Sequence, residues 1–483
     1  MIKKLLFTTA AFLACILAAF AIKAHAEELE ITVESSDGYP TDILTDDDFN
    51  TTDYYRDGTT ITITAEEPIA YVYIKWDTIP GAWKLKSNAS TQTLGKNDFL
   101  HELVKVESPS PNVDIEIVED HTYIADIYAF SSGDLPDWVQ TWEAPWEKAD
   151  FLILSAHSDD EILFMGSIAP TYLEKGDYRV QVAYLVDFSQ EGVAGVERYR
   201  RHELLDGLWE LGITHYPQLG EFTDKYSKYD LDEAMSLEDM DAVLGYVVRT
   251  IRRFKPQVVV THDVDGEYGH GQHMVLSKAV RDAVEITNDS TQYPESASTY
   301  GTWDVPKTYL HLYSENQIEI DARVPLDKYG GRTALEVAQD AYRKHLSQQW
   351  MDFYVSDGYD DYGDPSGYEY SFAKFGLYRS TVGEDTGNDM MEHLTPYAEQ
   401  APEVITEPTE ETSEEETTAE PSVKPQPSGV KKWLKIALII VAVLIVIVIV
   451  LIVWSAMVRA KKRKLAEERR RRRMQQQRRD RNR

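Results

Sequence analysis

Between Asp150 and Tyr313 short apolar runs alternate with longer amphipathic stretches, and no other feature restricts the fold as much. Runs at 151–156, 180–186, 215–219, 258–261 and 308–313 read as strands. Stretches at 161–175, 196–211, 237–254 and 273–286 read as helices, the third stopped by Lys255-Pro256. Such alternation predicts an α/β fold, a Rossmann-like, mostly parallel sheet with helices on both faces. Ligands of these folds gather at the carboxyl ends of the strands. Two segments rich in imidazole and carboxylate follow two of those ends: Ala156-His157-Ser158-Asp159-Asp160-Glu161 and Gly266-Glu267-Tyr268-Gly269-His270-Gly271-Gln272-His273.

Two His and one Asp suit a divalent metal, Zn²⁺ foremost, with positions left open for water and substrate. A spare carboxylate beside them suits a general base. Each segment alone has a plainer reading. A single His-x-x-His is weak, and Asp159-Asp160-Glu161 could be a solvated helix start favoured by the macrodipole. Their joint placement at strand ends favours a metal site.

Both segments resemble the PIG-L/LmbE family of metal-dependent sugar N-deacetylases, whose motifs read Ala-His-Pro-Asp-Asp-Glu and Gly-Glu-Tyr-Gly-His-x-x-His. Ser158 replaces the usual proline, which would stiffen the loop without ligating metal. The resemblance implies a deacetylase domain over 148–390, with His157, Asp160 and His273 as metal ligands. It implies Asp159 as general base, His270 as a second ionisable group and Tyr268 as a residue that polarises the substrate carbonyl. Arg200, in Arg200-x-x-Glu203, fits a helix whose arginine points toward substrate; a surface Arg–Glu pair is the alternative. Asp187 could meet a sugar hydroxyl or simply close a turn. Glu161 and Asp263 could orient ligands from behind, or serve as cap and turn residues. The segment Tyr354 to Tyr370 reads as a long loop over the site.

Ahead of this domain, 27–135 reads as all-β. Thr60–Thr64, Tyr71–Trp76 and Asp114–Val118 alternate apolar and polar residues, and Asp57-Gly58 and Pro80-Gly81 mark turns. A β-sandwich or jelly roll is expected. The order Leu44-Thr45-Asp46, Ile61, Ile74-Lys75-Trp76 and Trp83 loosely resembles discoidin-type, galactose-binding-like domains, so Trp76 and Trp83 are candidates for stacking on sugar rings, or for packing.

The two ends point to a membrane. Residues 1–26 resemble a secretory signal: Lys3 and Lys4, an apolar run, then Ala24-His25-Ala26. Cys15 is the only cysteine and falls inside it, so no disulfide is expected after cleavage. Residues 399–430, rich in Glu, Thr, Pro and Ser, read as a disordered acidic stalk. A transmembrane helix is expected over 434–454, where Ile436–Trp454 is unbroken in apolar residues and long enough, at roughly 28 Å, for a bilayer core. The basic tail 455–483 then lies in the cytoplasm, and everything before the span outside. The tail resembles a Gram-positive wall-sorting signal but no Leu-Pro-x-Thr-Gly precedes it, so the chain is expected to stay in the membrane. The net charge of −33 argues against nucleic acid as partner.

Together these readings predict a membrane-anchored extracellular hydrolase. Its substrate would be an N-acetylated, GlcNAc-like amino sugar in a surface or wall glycan. The alternative is a surface glycan-binding protein whose catalytic domain has degenerated.

Overall fold

A computed structural model of the protein describes residues 25–88, 90–120, 122–187, 198–349 and 352–400. Nearly all of the expected signal, and the stalk beyond 400, the span 434–454 and the tail 455–483, lie outside the described residues. Among the described residues no helix is long and apolar enough to cross a membrane.

The N-terminal part is all-β: β1 (Ile31–Ser35), β2 (Asp53–Tyr55), β3 (Thr60–Trp76), β4 (Trp83–Ser87), β5 (Ser90–Leu94), β6 (His101–Ile117) and β7 (Thr122–Phe130). All seven belong to one antiparallel sheet. β3 and β6 have 17 residues each, roughly 55 Å if straight. They are not straight. Register breaks between Thr64 and Ile69, around Glu66-Glu67-Pro68, where proline cannot donate to the ladder. The first half of β3 pairs with β1 and the second half with β7. At the far end Trp76 meets Trp83, ring centroids 5.3 Å apart. Trp83 pairs with Ile117, whose N–H donates to the Thr59 carbonyl beside the start of β3. The two ends of β3 therefore converge, and the single sheet folds over Ile61, Ile63, Val72 and Ile74. Trp76 and Trp83 lie inside it, both indole N–H groups donating to Glu102 Oε2. Of the two readings, sugar stacking and packing, the structure agrees with packing: each fills the core and satisfies a buried carboxylate.

The second sheet holds β8 (Phe151–Ser155), β9 (Val180–Tyr184), β10 (Val258–Thr261), β11 (Lys307–His311), β12 (Gln317–Glu319) and β13 (Lys374–Ser380), ordered β12-β13-β11-β10-β8-β9. β9, β8, β10 and β11 are parallel, and β13 runs antiparallel to both neighbours. The helices are α1 (Asp160–Leu163), α2 (Ile168–Lys175), α3 (Tyr199–Glu210), α4 (Leu231–Leu237), α5 (Met240–Phe254), α6 (Gly271–Ile286), α7 (Pro294–Tyr300) and α8 (Ala334–Tyr342). Phe151 and Ile153 pack with α1, α2, α3 and α8, while Leu152 and Leu154 pack with α5 and α6. Period-two alternation along β8 thus gives each face its own helical layer.

Three local expectations change. The helix expected over 161–175 is two, α1 and α2, and in the turn between them Gly166 passes so close to the Ile162 carbonyl that a Cβ would not fit. The helix expected over 237–254 begins at Met240, capped by Asp239, which accepts the Ala242 N–H. Residues 215–219 make isolated bridges to Glu143 and Ala183 and no regular strand.

Candidate metal centre

After β8 the chain crosses to β9 on one side, and β10 lies on the other, so the sheet order reverses at β8. Crevices at such points are where open α/β sheets bind ligands. Both motifs open into this one: Ala156 to Asp160 after β8, and the turn Gly266–His270 between β10 and α6. Gly266 and Gly269 hold φ of 66° and 73°, which lets the second motif double back before α6 begins.

Three buried donor atoms converge. His157 Nδ1 lies 2.9 Å from Asp160 Oδ2 and 3.2 Å from His273 Nε2, and His273 Nε2 lies 3.0 Å from the same carboxylate oxygen. The surroundings fix which ring nitrogens face inward. His273 Nδ1–H donates to Glu267 Oε2 (2.8 Å), leaving Nε2 as the lone-pair atom. His157 Nε2–H donates to Gln272 Oε1 (3.0 Å), with Asp224 Oδ1 at 3.5 Å, leaving Nδ1. Two imidazole lone pairs and a carboxylate oxygen within about 3 Å are the donor set of a divalent cation such as Zn²⁺. His262 also neighbours Asp160 and His273, but its Nε2 already accepts the Ala156 N–H at 2.9 Å. His270 sits close enough to join His157 and His273 as a donor. The set with Asp160 is tighter and brings the negative charge a dication requires.

Without the cation, protons hold these charges. Burial works against a charged His157, yet Asp160 and Asp224 push it up to about 10. Burial likewise opposes charge on His273, and Asp160 and Glu267 push it up to about 9. Burial would raise Asp160, but His273 and His157 hold it well below the usual carboxylate range. Asp159, its neighbour in sequence, behaves oppositely: burial pushes it up to about 7, against the pull of Arg200. Its φ of 126° lies far from ordinary side-chain-bearing backbone and separates the two carboxylates of the doublet.

Arg200 reaches the site from α3, donating to the Ser158 carbonyl at 3.0 Å with Asp159 Oδ1 at 3.5 Å. It does not pair with Glu203, which accepts from the Ser347 N–H and hydroxyl. Tyr268, at φ 47°, lays its ring 5.4 Å from that of His273 and 5.6 Å from that of His270. Burial first, then the charges of His157 and His273, pushes His270 down to about 3, and its buried Nδ1 has no partner among the described residues. Glu161 accepts the Asp159 N–H and so shapes the loop rather than a ligand. Asp263 accepts the Asp265 N–H as a turn residue, which corrects its expected orienting role. Asp187 follows β9 with its N–H on the Phe222 carbonyl, and its charge acts on Arg201.

Sequence reasoning missed the residue that braces the centre. Glu267, fully buried, accepts from Nδ1 of His262 (2.7 Å), His273 (2.8 Å) and His311 (2.7 Å). Gln272 and Asp224, the partners of His157 Nε2, were missed as well.

Residues 152–284 match the family described as PIG-L: GlcNAc-PI de-N-acetylase. A 1D-myo-inositol 2-acetamido-2-deoxy-alpha-D-glucopyranoside deacetylase of Catenulispora acidiphila is 25% identical over 218 residues, 41% of this chain and 67% of the relative. One of Saccharopolyspora erythraea is 30% identical over 176 residues, 33% of this chain and 63% of the relative. Among solved structures, N,N'-diacetylchitobiose deacetylase from Pyrococcus horikoshii is 18% identical over 43% of this chain and 74% of that one, at a TM-score of 0.30. Through residues 152–284 of its α/β part, the chain is similar to the PIG-L family.

Proposed function

We propose that the protein is a metal-dependent hydrolase that removes the acetyl group from an N-acetylated, GlcNAc-like amino sugar in a cell-surface or wall glycan. The observation that carries this reading is the division of labour in Asp159-Asp160. One carboxylate is held ionised among the metal donors, and the other is buried beside them and poised near neutrality. The family and the named deacetylase relatives support the same chemistry.

His157, Asp160 and His273 would hold a divalent cation, which would supply Lewis-acid polarisation of the amide carbonyl and lower the pKa of a water. Asp159 accepts the proton of the attacking water and, now protonated, returns it to the departing nitrogen. Arg200 holds the Asp159 carboxylate in place. His270, kept neutral first by burial, offers an N–H to the developing oxyanion and adds no competing charge, and Tyr268 borders the same space.

The proposal extends to location. The signal expected at 1–26, the span expected at 434–454 and the basic residues of 455–483 support a catalytic part outside and a tail in the cytoplasm. Full-length protein purified in detergent and loaded with Zn²⁺ should release acetate from a panel of N-acetylated glycans. A chelator should stop the release and Zn²⁺ restore it. Release from no member of the panel would refute the reading and leave the glycan-binding alternative.

A further inference from the structure

The metal donors at the floor of the crevice are buried, whereas its rim carries exposed aromatic rings. Among the described residues few large apolar side chains are exposed, and three of them edge this one opening: Tyr226 (71% exposed), Tyr229 (75%) and Tyr354 (51%). Such clustering on an otherwise acidic, polar surface marks a contact area.

The rings form two arms that begin at catalytic side chains. On one arm Tyr226 stands 5.5 Å from the His270 ring, and Tyr229 lies flat against Gly269, where even a Cβ would strike its ring. On the other, Phe353 lies 4.5 Å from Tyr268, Tyr370 6.3 Å from Phe353, and Tyr354 closes the row 4.3 Å from Tyr368.

Neither arm is loosely held. Segment 227–229 is bonded to the backbone of the second motif: Tyr229 N–H to the Gly269 carbonyl, and Gly271 N–H to the Ser227 carbonyl. The 353–371 segment is tied by Arg323 to Asp357, by the Ser371 hydroxyl to the Asp357 carbonyl, and by His311 Nε2–H to the Ser371 carbonyl. His311 is itself bonded to Glu267 behind the metal donors. Rigid, exposed tyrosines give large contact area at low entropic cost. Their flat faces match the C–H faces of pyranose rings, and their hydroxyls match sugar hydroxyls. Asp224, its side chain 44% exposed and next to His157 Nε2, adds a carboxylate acceptor where the arms meet the floor.

We propose that these arms are subsites for sugars flanking the one that is deacetylated, so that the substrate is an oligomer or polymer of N-acetylated hexosamine and not a single sugar or a disaccharide conjugate. This rests on the deacetylase reading above and names its substrate class.

The test compares kcat/KM for acetate release from N-acetylglucosamine and its β-1,4 oligomers up to the hexamer, using full-length Zn²⁺-loaded protein and the Tyr226→Ala and Tyr354→Ala variants. Calorimetry of the same oligomers on Asp159→Asn reads binding without turnover. Expected are a kcat/KM and an affinity that rise with chain length, and a hexamer-to-monomer ratio that falls about 10-fold in each variant, about 1.4 kcal/mol per lost stacking contact. Equal kcat/KM and equal binding for monomer and hexamer overturn the proposal, as does a length dependence that both variants retain in full. Length-dependent binding without acetate release sinks the deacetylase reading and leaves the glycan groove standing.

Discussion

Glu267→Gln should weaken metal binding without touching a ligand. The Glu267 carboxylate accepts three imidazole N–H groups at 2.7–2.8 Å, and each bond fixes which nitrogen of its ring bears the proton. A glutamine amide supplies one oxygen and one NH₂, so at least one of His262, His273 and His311 must face a donor with its own donor. For His273 the remedy is to move the proton to Nε2, the atom that should hold the metal. Loss of a partner behind a metal-bound histidine costs typically 10- to 100-fold in affinity, about 1.4–2.7 kcal/mol. The carboxylate is also buried and held well below the usual range, burial being outweighed by its histidine partners, so folding should suffer by about 3–5 kcal/mol as in other broken buried pairs. The two losses are separated by measuring Zn²⁺ affinity with a competing chelator, at a temperature where circular dichroism shows the variant folded. Unchanged affinity in folded Glu267→Gln would refute the argument that this carboxylate sets the His273 tautomer.

Asp159→Asn should keep its metal while turnover falls roughly 10²-fold or more, since only the proton acceptor is lost; normal acetate release would put the base elsewhere. His273→Ala should lose stoichiometric metal in elemental analysis, and full retention would sink the ligand set. Binding of Zn²⁺ should tighten steeply as pH rises from 6 to 8. In the metal-free protein His157 and His273 sit at about 10 and 9, so both protons must leave, giving on the order of 10²-fold per pH unit. Competition titrations check this, and a flat profile would refute it. Trp83→Ala should cost about 3–5 kcal/mol in urea denaturation, because the ring is buried and its N–H serves Glu102; a loss below about 1 kcal/mol would contradict its place in the core.

What could be read ahead of the structure was whatever a short window contains. Val258–Thr261 is a run of β-branched residues, and its strand appears with the predicted ends. The two motifs carry their own imidazoles and carboxylates, so the grouping of His157, Asp160 and His273 was legible before their distances were known. Illegible features depend on partners far along the chain. Glu267 lies in a glycine-rich turn and looks like a solvated turn residue; its role comes from His262 beside it and His311, which is 44 residues away inside a strand. For Trp76 and Trp83 the sequence left stacking on sugars and packing both open, because Glu102, which satisfies both rings, stands on another strand. The antiparallel strand β13, between β12 and β11, was unread since Lys374–Ser380 is interrupted by glycine and only half buried.

The charge balance of the crevice explains why adjacent aspartates behave differently. Without a cation the buried cluster contains two carboxylates held ionised, Asp160 and Glu267, and two imidazoles held protonated, His157 and His273. These cancel. A dication that displaces the two protons leaves the same net charge, so the protein around it needs no electrostatic rearrangement on loading. Asp159 is the carboxylate left over from that balance. Arg200 only partly compensates it at 3.5 Å, and burial lifts it to about 7, the value a general base needs near neutral pH. The distorted backbone at φ 126° keeps Asp159 from sharing the role of Asp160. Relaxing it should therefore bring both carboxylates to the metal donors and remove the base, a loss of turnover with metal binding intact or stronger.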